Sequence, residues 1–199
     1  MATTEATDTR MMTEEIRRLT QDVIDAKARL RDAQRAASPE RVKDWTFRAI
    51  DGSDVRLSAL FTTHDDLIVV HNMGRGCNYC TLWADIARGY ADHLDDRCGF
   101  VLCSNDPPEV AHAFARERRW NFRVVSGRDS GFARAMGFMD DKGNPWPGAS
   151  AFHKNEDGSI VRTGTVPWGP GDDFCPVWPF FDILDGGKKG WEPLGLRAD

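Results

Sequence analysis

The sequence predicts an α/β fold in which helices flank a mixed central β-sheet, preceded by a helical arm. Two short apolar runs, 67–71 and 99–103, have the composition of buried parallel strands, and each leads into a helix-like segment. Two further short strands on either side of the turn 155–158 predict a hairpin that closes the sheet. In such a sheet the active edge lies where the parallel strands end and the helices begin.

The composition is that of an ordinary globular chain with one domain and an appendage. The 199 residues are 41% hydrophobic and 29% charged, and the net charge is -5. Because Lys and Arg are scattered rather than clustered, neither nucleic acid nor an anionic membrane is expected as a partner. No apolar run approaches the length of about 20 residues that crosses a bilayer, and residues 1–8 lack the features of a secretion signal. We therefore predict a cytoplasmic protein.

Residues 13–37 predict one long amphipathic helix. Its apolar side chains recur at alternating spacings of three and four, and Ser38-Pro39 ends the pattern. The preferred interpretation is an arm that lies on the body of the domain. The heptad-like spacing also allows a short seam through which two copies form a homodimer. We assign residues 1–40 to this helical extension and residues 41–199 to the main domain.

The remaining elements follow from apolar periodicity and turn residues. Before the first buried strand we predict a strand at 45–47, a turn at 50–53, a strand at 55–57 and a short helical turn at 58–61. After it we predict helices at 81–94, 107–119, 129–136 and 174–184, and strands at 99–103, 123–125, 149–152 and 159–162. Asp106 is the expected N-cap of the second of these helices, and Asp172 and Asp173 are expected to cap the last one.

A Cys-x-x-Cys motif, Cys77 to Cys80, stands where the first buried strand gives way to a helix. Backbone N–H groups at a helix start stabilise a thiolate, and the thiolate is the form that attacks disulfides. We expect Cys77, nearer the loop, to be the nucleophile and Cys80, one turn into the helix, to resolve the mixed disulfide. Arg75 and the helix N-terminus should lower the pKa of Cys77. The motif therefore predicts a redox-active dithiol whose partner is a disulfide or thiol substrate.

The cysteine count separates a redox site from a structural one. Five cysteines are too few, and an odd number, for a disulfide-stapled secreted scaffold. A zinc site would need two more ligands at suitable spacing, but Cys98, Cys103 and Cys175 form no second Cys-x-x-Cys pair. Neither a bound metal nor a cofactor is expected.

Four other residues are candidates to support the dithiol, each with a structural alternative. His71, at the end of the strand, is an acid or base near the dithiol, or a packed strand-end histidine. Asp85 relays a proton to Cys80, or is a solvated helix residue. Cys103 is a third thiol at the active edge, although packing as a small hydrophobe is preferred. Cys175 is a distal resolving thiol if the C-terminal segment folds over the site, with core packing as the safer interpretation.

These motifs carry a resemblance to a known family. The strand and helix order, the Cys-x-x-Cys and the late hairpin resemble the thioredoxin superfamily, and the opening from Phe47 to Phe61 is similar to its peroxiredoxin-like branch. More closely, the chain resembles the bacterial domain-of-unknown-function family 899, through His71-Asn-Met73, Cys77-x-x-Cys80-x-x-Trp83-Ala-Asp85 and Trp168 to Phe174. The resemblance covers nearly the whole chain. It implies a thioredoxin-like fold and no particular reaction.

The motif also departs from its better-known relatives. Gly76 and the pair Asn78-Tyr79 stand where thioredoxins usually carry a Trp and a motif Pro. Val70 and Gly74 stand where peroxiredoxins carry a Pro and a Thr or Ser, so a peroxiredoxin mechanism is not expected. Two places could correspond to the cis-proline that thioredoxins set opposite the dithiol, namely Pro147 and the non-proline pair Ala149-Ser150, and the sequence leaves both open.

Three functional hypotheses follow. The first is a thiol-disulfide oxidoreductase that uses Cys77 and Cys80. The second is a non-catalytic binding module on a thioredoxin-like scaffold, which the missing Trp and motif Pro suggest. The third is copper handling through Cys77, Cys80 and His71, as in copper-handling thioredoxin-like proteins.

Overall fold

The computed structural model describes residues 13–194. The chain forms two compact units, of which the first ends at Ser38 and the second begins at Pro39. Residues 1–8, on which the expected lack of a secretion signal rests, lie outside the described residues. None of the described helices is long and apolar enough to cross a bilayer.

The described part of the first unit contains helix α1, Glu14–Ala36, as the apolar spacing predicts. The Thr13 hydroxyl accepts a hydrogen bond from the backbone N–H of Ile16 at 3.2 Å and so caps the helix start. Ala37 has extended dihedral angles and Pro39 follows two residues later, which ends the helix. None of the side chains of α1 is buried. Whether α1 packs on the body or pairs with a second copy stays a prediction.

Eight strands of the second unit form one mixed sheet in the described part of the chain. They are β1 Glu40–Val42, β2 Thr46–Arg48, β3 Asp54–Arg56, β4 Asp66–Asn72, β5 Gly99–Ser104, β6 Arg123–Ser126, β7 Gly148–Lys154 and β8 Ile160–Pro167. The helices are α2 Leu57–Leu60, α3 Asn78–Ala87, α4 Ala91–Asp95, α5 Pro108–Glu117, α6 Phe132–Ala135 and α7 Val177–Asp182. The predicted α/β fold with a mixed sheet is confirmed.

The spatial order of the strands is β1-β8-β7-β4-β5-β6-β2-β3. The three central strands β4, β5 and β6 run parallel. Strands β7 and β8 form the closing hairpin, in which β7 pairs antiparallel with β4 and β8 pairs antiparallel with β7. In the register of β4 and β5, His71 lies beside Cys103 and Asn72 beside Ser104. The carboxyl ends of these two strands therefore meet at one edge, and α3 begins just beyond it.

The two faces of the sheet carry separate hydrophobic cores. Val70 and Leu102 are buried in one cluster with Ala84 of α3 and Ala111 of α5. Because side chains of a strand alternate between faces, their neighbours on β4 and β5 belong to the other side. There Val69, Val101 and Cys103 are buried with Phe132, Phe138 and Phe152. This alternation decides below which candidate residues can reach the dithiol.

Four helix predictions differ from the structure. The helix expected at 129–136 covers only 132–135, as α6. The single helix expected at 81–94 is two helices, α3 and α4, because the chain turns at Gly89, a poor helix former. Asp106 does not cap α5, whose N-cap position is Pro107 and has no side-chain cap. The last helix shrinks from 174–184 to 177–182, and its N-cap is Pro176 rather than an aspartate.

Candidate active site

Cys77 occupies the N-cap position of α3, immediately after the loop that leaves β4. Its backbone is extended, with φ -99° and ψ 103°, so the side chain turns back over the helix start. The Cys77 Sγ accepts a hydrogen bond from the backbone N–H of Cys80 at 3.1 Å. The backbone N–H of Cys77 donates to the carbonyl of Gly74, also at 3.1 Å. The thiol is thus held where the free N–H groups of the helix converge.

This position lowers the pKa of Cys77 to about 7. The largest cause is the hydrogen bond with the Cys80 thiol, and the backbone N–H groups of Cys80 and Tyr79 act in the same direction, whereas burial opposes them. Arg75 is exposed in the loop, and its guanidinium is not among the groups that lower the pKa of Cys77. A large share of Cys77 is therefore a thiolate near neutral pH.

Cys80 lies one turn further along α3 and, unlike Cys77, is buried and has a raised pKa. It is buried in a cluster with Trp83, Cys175 and Trp178. The hydrogen bond with Cys77 and burial both raise the pKa of Cys80 well above its usual range. The two thiols of one helical turn are accordingly divided into an ionisable, half-exposed sulfur and a protonated, buried one.

Two residues that the sequence did not assign to the site support the loop between β4 and Cys77. Asn72, the last residue of β4, accepts from the Gly74 N–H at 2.8 Å and donates to the Cys80 carbonyl at 3.4 Å. Asp106, just beyond β5, accepts from the Arg75 N–H at 2.7 Å. Both follow the ends of adjacent parallel strands, and that placement at the active edge was the signal that could have found them.

His71 lies on the face of the sheet away from α3. Its ring stacks against Phe138, with ring centroids 3.9 Å apart, and against Phe132 at 5.2 Å. The Nε2 atom shares a hydrogen bond with the Ser150 hydroxyl at 2.9 Å. Burial lowers the pKa of His71 to about 3, so the ring is neutral. The structure places it as a packed strand-end histidine and does not bring it to the dithiol.

Asp85 also points away from Cys80. Its carboxylate accepts from the Arg118 Nε at 3.1 Å and from the Trp120 indole N–H at 2.9 Å, and its second oxygen pairs with the Arg118 Nη2. Asp85 is therefore neither a solvated helix residue nor placed to relay a proton to Cys80. It ties α3 to the end of α5.

Cys103 is separated from Cys80 by the sheet itself. Its side chain is fully buried in the core on the His71 face, where burial raises the pKa of the thiol to about 12. A Cβ atom on Gly127 would collide with the Cys103 Sγ, which shows how closely the two segments pack. The structure places Cys103 as a small core residue.

The sequence matches the family described as "Bacterial protein of unknown function (DUF899)" over residues 4–193. The chain belongs to the DUF899 family. No curated protein matches the sequence.

Solved structures similar to this DUF899 protein include peroxiredoxins. Peroxidoxin BcpB from Mycobacterium tuberculosis has a TM-score of 0.53 at 21% identity, over 65% of this chain and 84% of its own. AhpC from Enterococcus faecalis gives 0.52 at 13% identity, over 67% and 82%. A PrxQ mutant from Xylella fastidiosa gives 0.51 at 12% identity, over 66% and 88%. At these identities the likeness establishes the thioredoxin-like fold.

The aromatic C-terminal segment of the DUF899 chain, residues 168–194, lies over the dithiol. Trp168 packs on Trp83 with ring centroids 5.5 Å apart, and Trp178 lies 6.1 Å from Tyr79 of the Cys-x-x-Cys motif. The Tyr79 hydroxyl donates to the Glu192 carboxylate at 2.6 Å. The C-terminal segment thus folds over the site and brings Cys175 into the cluster that buries Cys80.

Asp172 stabilises a turn in this segment instead of the last helix. Its carboxylate accepts from the backbone N–H groups of Gly169 at 3.0 Å and Phe174 at 2.7 Å. Burial raises the pKa of Asp172, against the opposing effect of these hydrogen bonds.

The structure answers two questions that the sequence left open, the metal ligand set and the cis-proline. Because His71 lies across the sheet, the ligand set Cys77, Cys80 and His71 does not assemble, and no group of three metal-ligating side chains occurs among residues 13–194. No peptide bond in the same range is cis, so neither Pro147 nor Ser150 follows a cis bond. Ala149 instead pairs with Val70 in the sheet.

Proposed function

We propose that this DUF899 protein is a thiol-disulfide oxidoreductase whose dithiol is Cys77 and Cys80. The observation that carries the proposal is the contrast between the two thiols of one helical turn. The pKa of Cys77 is about 7 and its thiol is half-exposed, whereas the pKa of Cys80 is raised and its thiol is buried. An attacking thiol needs a pKa near the ambient pH, and a resolving thiol must stay protonated until the mixed disulfide has formed.

The first step is attack of the Cys77 thiolate on one sulfur of a substrate disulfide. A bond forms between the Cys77 Sγ and that sulfur, the substrate S–S bond breaks, and the departing thiolate takes a proton from solvent. In the second step the Cys80 thiol gives up its proton and attacks the Cys77 Sγ. This step forms the Cys77–Cys80 disulfide and releases the second substrate thiol, so two electrons pass from the dithiol to the substrate. An external dithiol then reduces the pair again and is itself oxidised to a disulfide.

The order of the two steps follows from the electrostatics of the pair. The negative charge of Cys77 is one of the causes that raise the pKa of Cys80. Formation of the mixed disulfide removes that charge, so the Cys80 thiol ionises more readily only after Cys77 has reacted. Because the other cysteines are buried away from solvent, substrate enters at Cys77. We place this activity in the cytoplasm, where thiols are kept reduced.

The test compares reduction of insulin and of a small aromatic disulfide by the wild-type protein and three serine variants. Cys77→Ser should abolish the activity. Cys80→Ser should stop after the first step and accumulate a mixed disulfide on Cys77, visible by intact mass. Cys98→Ser is the matched control, since Cys98 is a buried cysteine just before β5 and outside the cluster around Cys80.

Activity that survives in Cys77→Ser would refute the proposal. So would a wild-type protein that reduces neither substrate with a dithiol as donor. In the second case the chain would be the non-catalytic module that the sequence also allows.

A further inference from the structure

Asp106 is held from three sides at the edge where β5 and β6 end. Its backbone N–H donates to the Ser104 hydroxyl at 3.1 Å, and its carbonyl accepts from the Ser126 hydroxyl at 2.5 Å. Both serines are buried, with 3% and 4% of their surface exposed. These two hydrogen bonds hold the backbone of Asp106 against the sheet. From this position the Asp106 Oδ2 accepts a hydrogen bond from the Arg75 N–H at 2.7 Å.

Gly74 makes room for that carboxylate. Its φ is +107°, in the region that favours glycine, and a Cβ atom at this position would lie 2.6 Å from the Asp106 Oδ1. The carbonyl of the same Gly74 accepts from the Cys77 N–H at 3.1 Å. A continuous chain of contacts thus runs from the sheet through Asp106 and the Gly74-Arg75 peptide to the backbone of Cys77.

We propose that Asp106 is the positioning residue of the dithiol: its carboxylate clamps the loop 73–76 so that the Cys77 sulfur faces the free N–H groups of α3. The proposal rests on the function proposed for Cys77 and names a residue that acts through the loop, without touching the sulfur. The geometry that matters is the 3.1 Å hydrogen bond from the Cys80 N–H to the Cys77 Sγ. Release of the loop lets Cys77 leave its extended N-cap conformation and lose these donors.

The sign of the effect separates positioning from direct electrostatics. A carboxylate that acted on Cys77 through its charge would destabilise the thiolate, so its removal would make Cys77 more acidic. A carboxylate that positions the loop does the opposite, because its removal costs Cys77 the N–H groups that stabilise the thiolate. Asp106→Asn is informative for the same reason, since it removes the charge but keeps an oxygen that can accept from Arg75.

The experiment measures the rate of Cys77 alkylation by iodoacetamide against pH, with the modified peptide identified by mass. In Asp106→Ala we expect the midpoint of the profile to rise by about one pH unit, which is close to a tenfold slower reaction at acidic pH. Asp106→Asn should restore the midpoint to about the wild-type value. Asp140→Ala is the matched control, because the Asp140 carboxylate also accepts from backbone N–H groups, those of Lys142 and Asn144 in another loop.

A second pair of variants tests the same contact without removing the carboxylate. Gly74→Ala pushes its Cβ atom against Asp106 and should raise the Cys77 midpoint as well. Gly143→Ala is its control, since Gly143 has a φ of +87° but nothing within 4 Å of the added Cβ atom. This pair keeps the proposal falsifiable if Asp106→Ala does not fold.

An unchanged or lowered midpoint in Asp106→Ala or in Gly74→Ala overturns the proposal. So does an equal upward shift in Asp106→Asn and Asp106→Ala. The readout needs no disulfide substrate, so it can succeed in a protein that reduces none, and it can fail in a protein that is an active oxidoreductase. The two proposals therefore stand or fall separately.

Discussion

Cys77 stands five residues after the end of β4 and Cys103 is the fifth residue of the neighbouring strand β5, yet the pKa of Cys77 is about 7 and that of Cys103 about 12. Cys77 lies outside the strand at a helix start, where backbone N–H groups solvate the thiolate. Cys103 lies inside β5 among apolar side chains, where burial alone acts and favours the thiol. The low pKa of Cys77 thus comes from the donors around its sulfur, first the Cys80 thiol and then the backbone N–H groups.

His71 supplies a prediction about pH at the same scale. Its pKa in the folded state is about 3, against an ordinary value of 6.5. Between these values the unfolded chain binds a proton that the folded chain does not, so the free energy of unfolding falls as pH falls from 6.5 towards 3. The expected contribution of this one residue is a slope of about 1.4 kcal/mol per pH unit.

The measurement is denaturant unfolding of wild type and His71→Gln at several pH values in that window. His71→Gln should remove this part of the slope. His93→Gln is the control, since His93 is exposed on α4. A slope in His71→Gln that equals the slope of wild type would contradict the buried neutral state of His71.

At the scale of elements, the two ends of α3 make different contacts. Its first turn binds the sulfur of Cys77. Its second half carries Asp85, which pairs with Arg118 at the end of α5 and with Trp120 beyond it. The helix that presents the dithiol is therefore fastened to the next helix along the chain, and the fastening is remote from the sulfur.

Asp85→Ala should lower stability without changing the dithiol. Loss of hydrogen bonds to a charged group costs about 1.5–3 kcal/mol, and Asp85 and Arg118 are both largely shielded, with 24% and 29% of their side chains exposed. We expect the free energy of unfolding to fall by that amount and the alkylation profile of Cys77 to stay that of wild type. Asp92→Ala, which removes an exposed hydrogen bond to Asn121, is the control. A shift of the Cys77 profile in Asp85→Ala would revive a role for Asp85 in proton transfer.

At the scale of the second unit as a whole, the C-terminal segment 168–194 decides how much of the dithiol meets solvent. Trp178 is buried and contacts Tyr79, Phe181 and Trp191 through its ring. The Tyr79 to Glu192 hydrogen bond joins the same segment to the motif itself. Cys80 is sealed by side chains nearly a hundred residues away in sequence, and Cys77 is left half-exposed.

Trp178→Ala should open this cover. Replacing a buried Trp by Ala costs about 3–5 kcal/mol and leaves a cavity beside Cys80. We expect alkylation of Cys80 in the native reduced protein to accelerate at least about tenfold, a change that corresponds to roughly 1.4 kcal/mol less protection. Trp146→Ala is the control, since Trp146 is 59% exposed. Peptide mass analysis that finds Cys80 equally protected in both variants would contradict a covering role for the segment.

Features that depend on near neighbours in the chain were predicted well. The helix 13–37, the strands 67–71 and 99–103 and the late hairpin agree with the structure to within a few residues, because period, caps and turn residues act over one or two turns. The same is true of Cys77 at the start of a helix. The break at Gly89 was missed because the apolar pattern continues across it.

The supporting residues were not predictable in the same way. His71 and Asp85 were proposed because they are near the dithiol in sequence, and Cys103 because it lies at the active edge. The side chains of His71 and Cys103, however, lie on the other face of the sheet. Asp85 pairs with Arg118, which is 33 residues away in sequence. Asp106 does not cap α5 and instead accepts a hydrogen bond from Arg75, 31 residues earlier. Alternation along a strand says which residues share a face, but only the packed helices say which face holds the dithiol.

The sequence by itself therefore determined the mixed α/β sheet and the placing of a Cys-x-x-Cys at a helix start, because both arise from local hydrogen bonding and apolar periodicity, and its resemblance to a known family implied the thioredoxin-like fold. Tertiary structure alone decided that Asp106 and Asn72 hold the loop, and that the aromatic C-terminal segment buries Cys80. The physical reason is that a carboxylate or an indole gains its partner only when the folded chain brings distant segments into contact. Several partners within reach of the same side chain are compatible with one sequence, and packing selects among them.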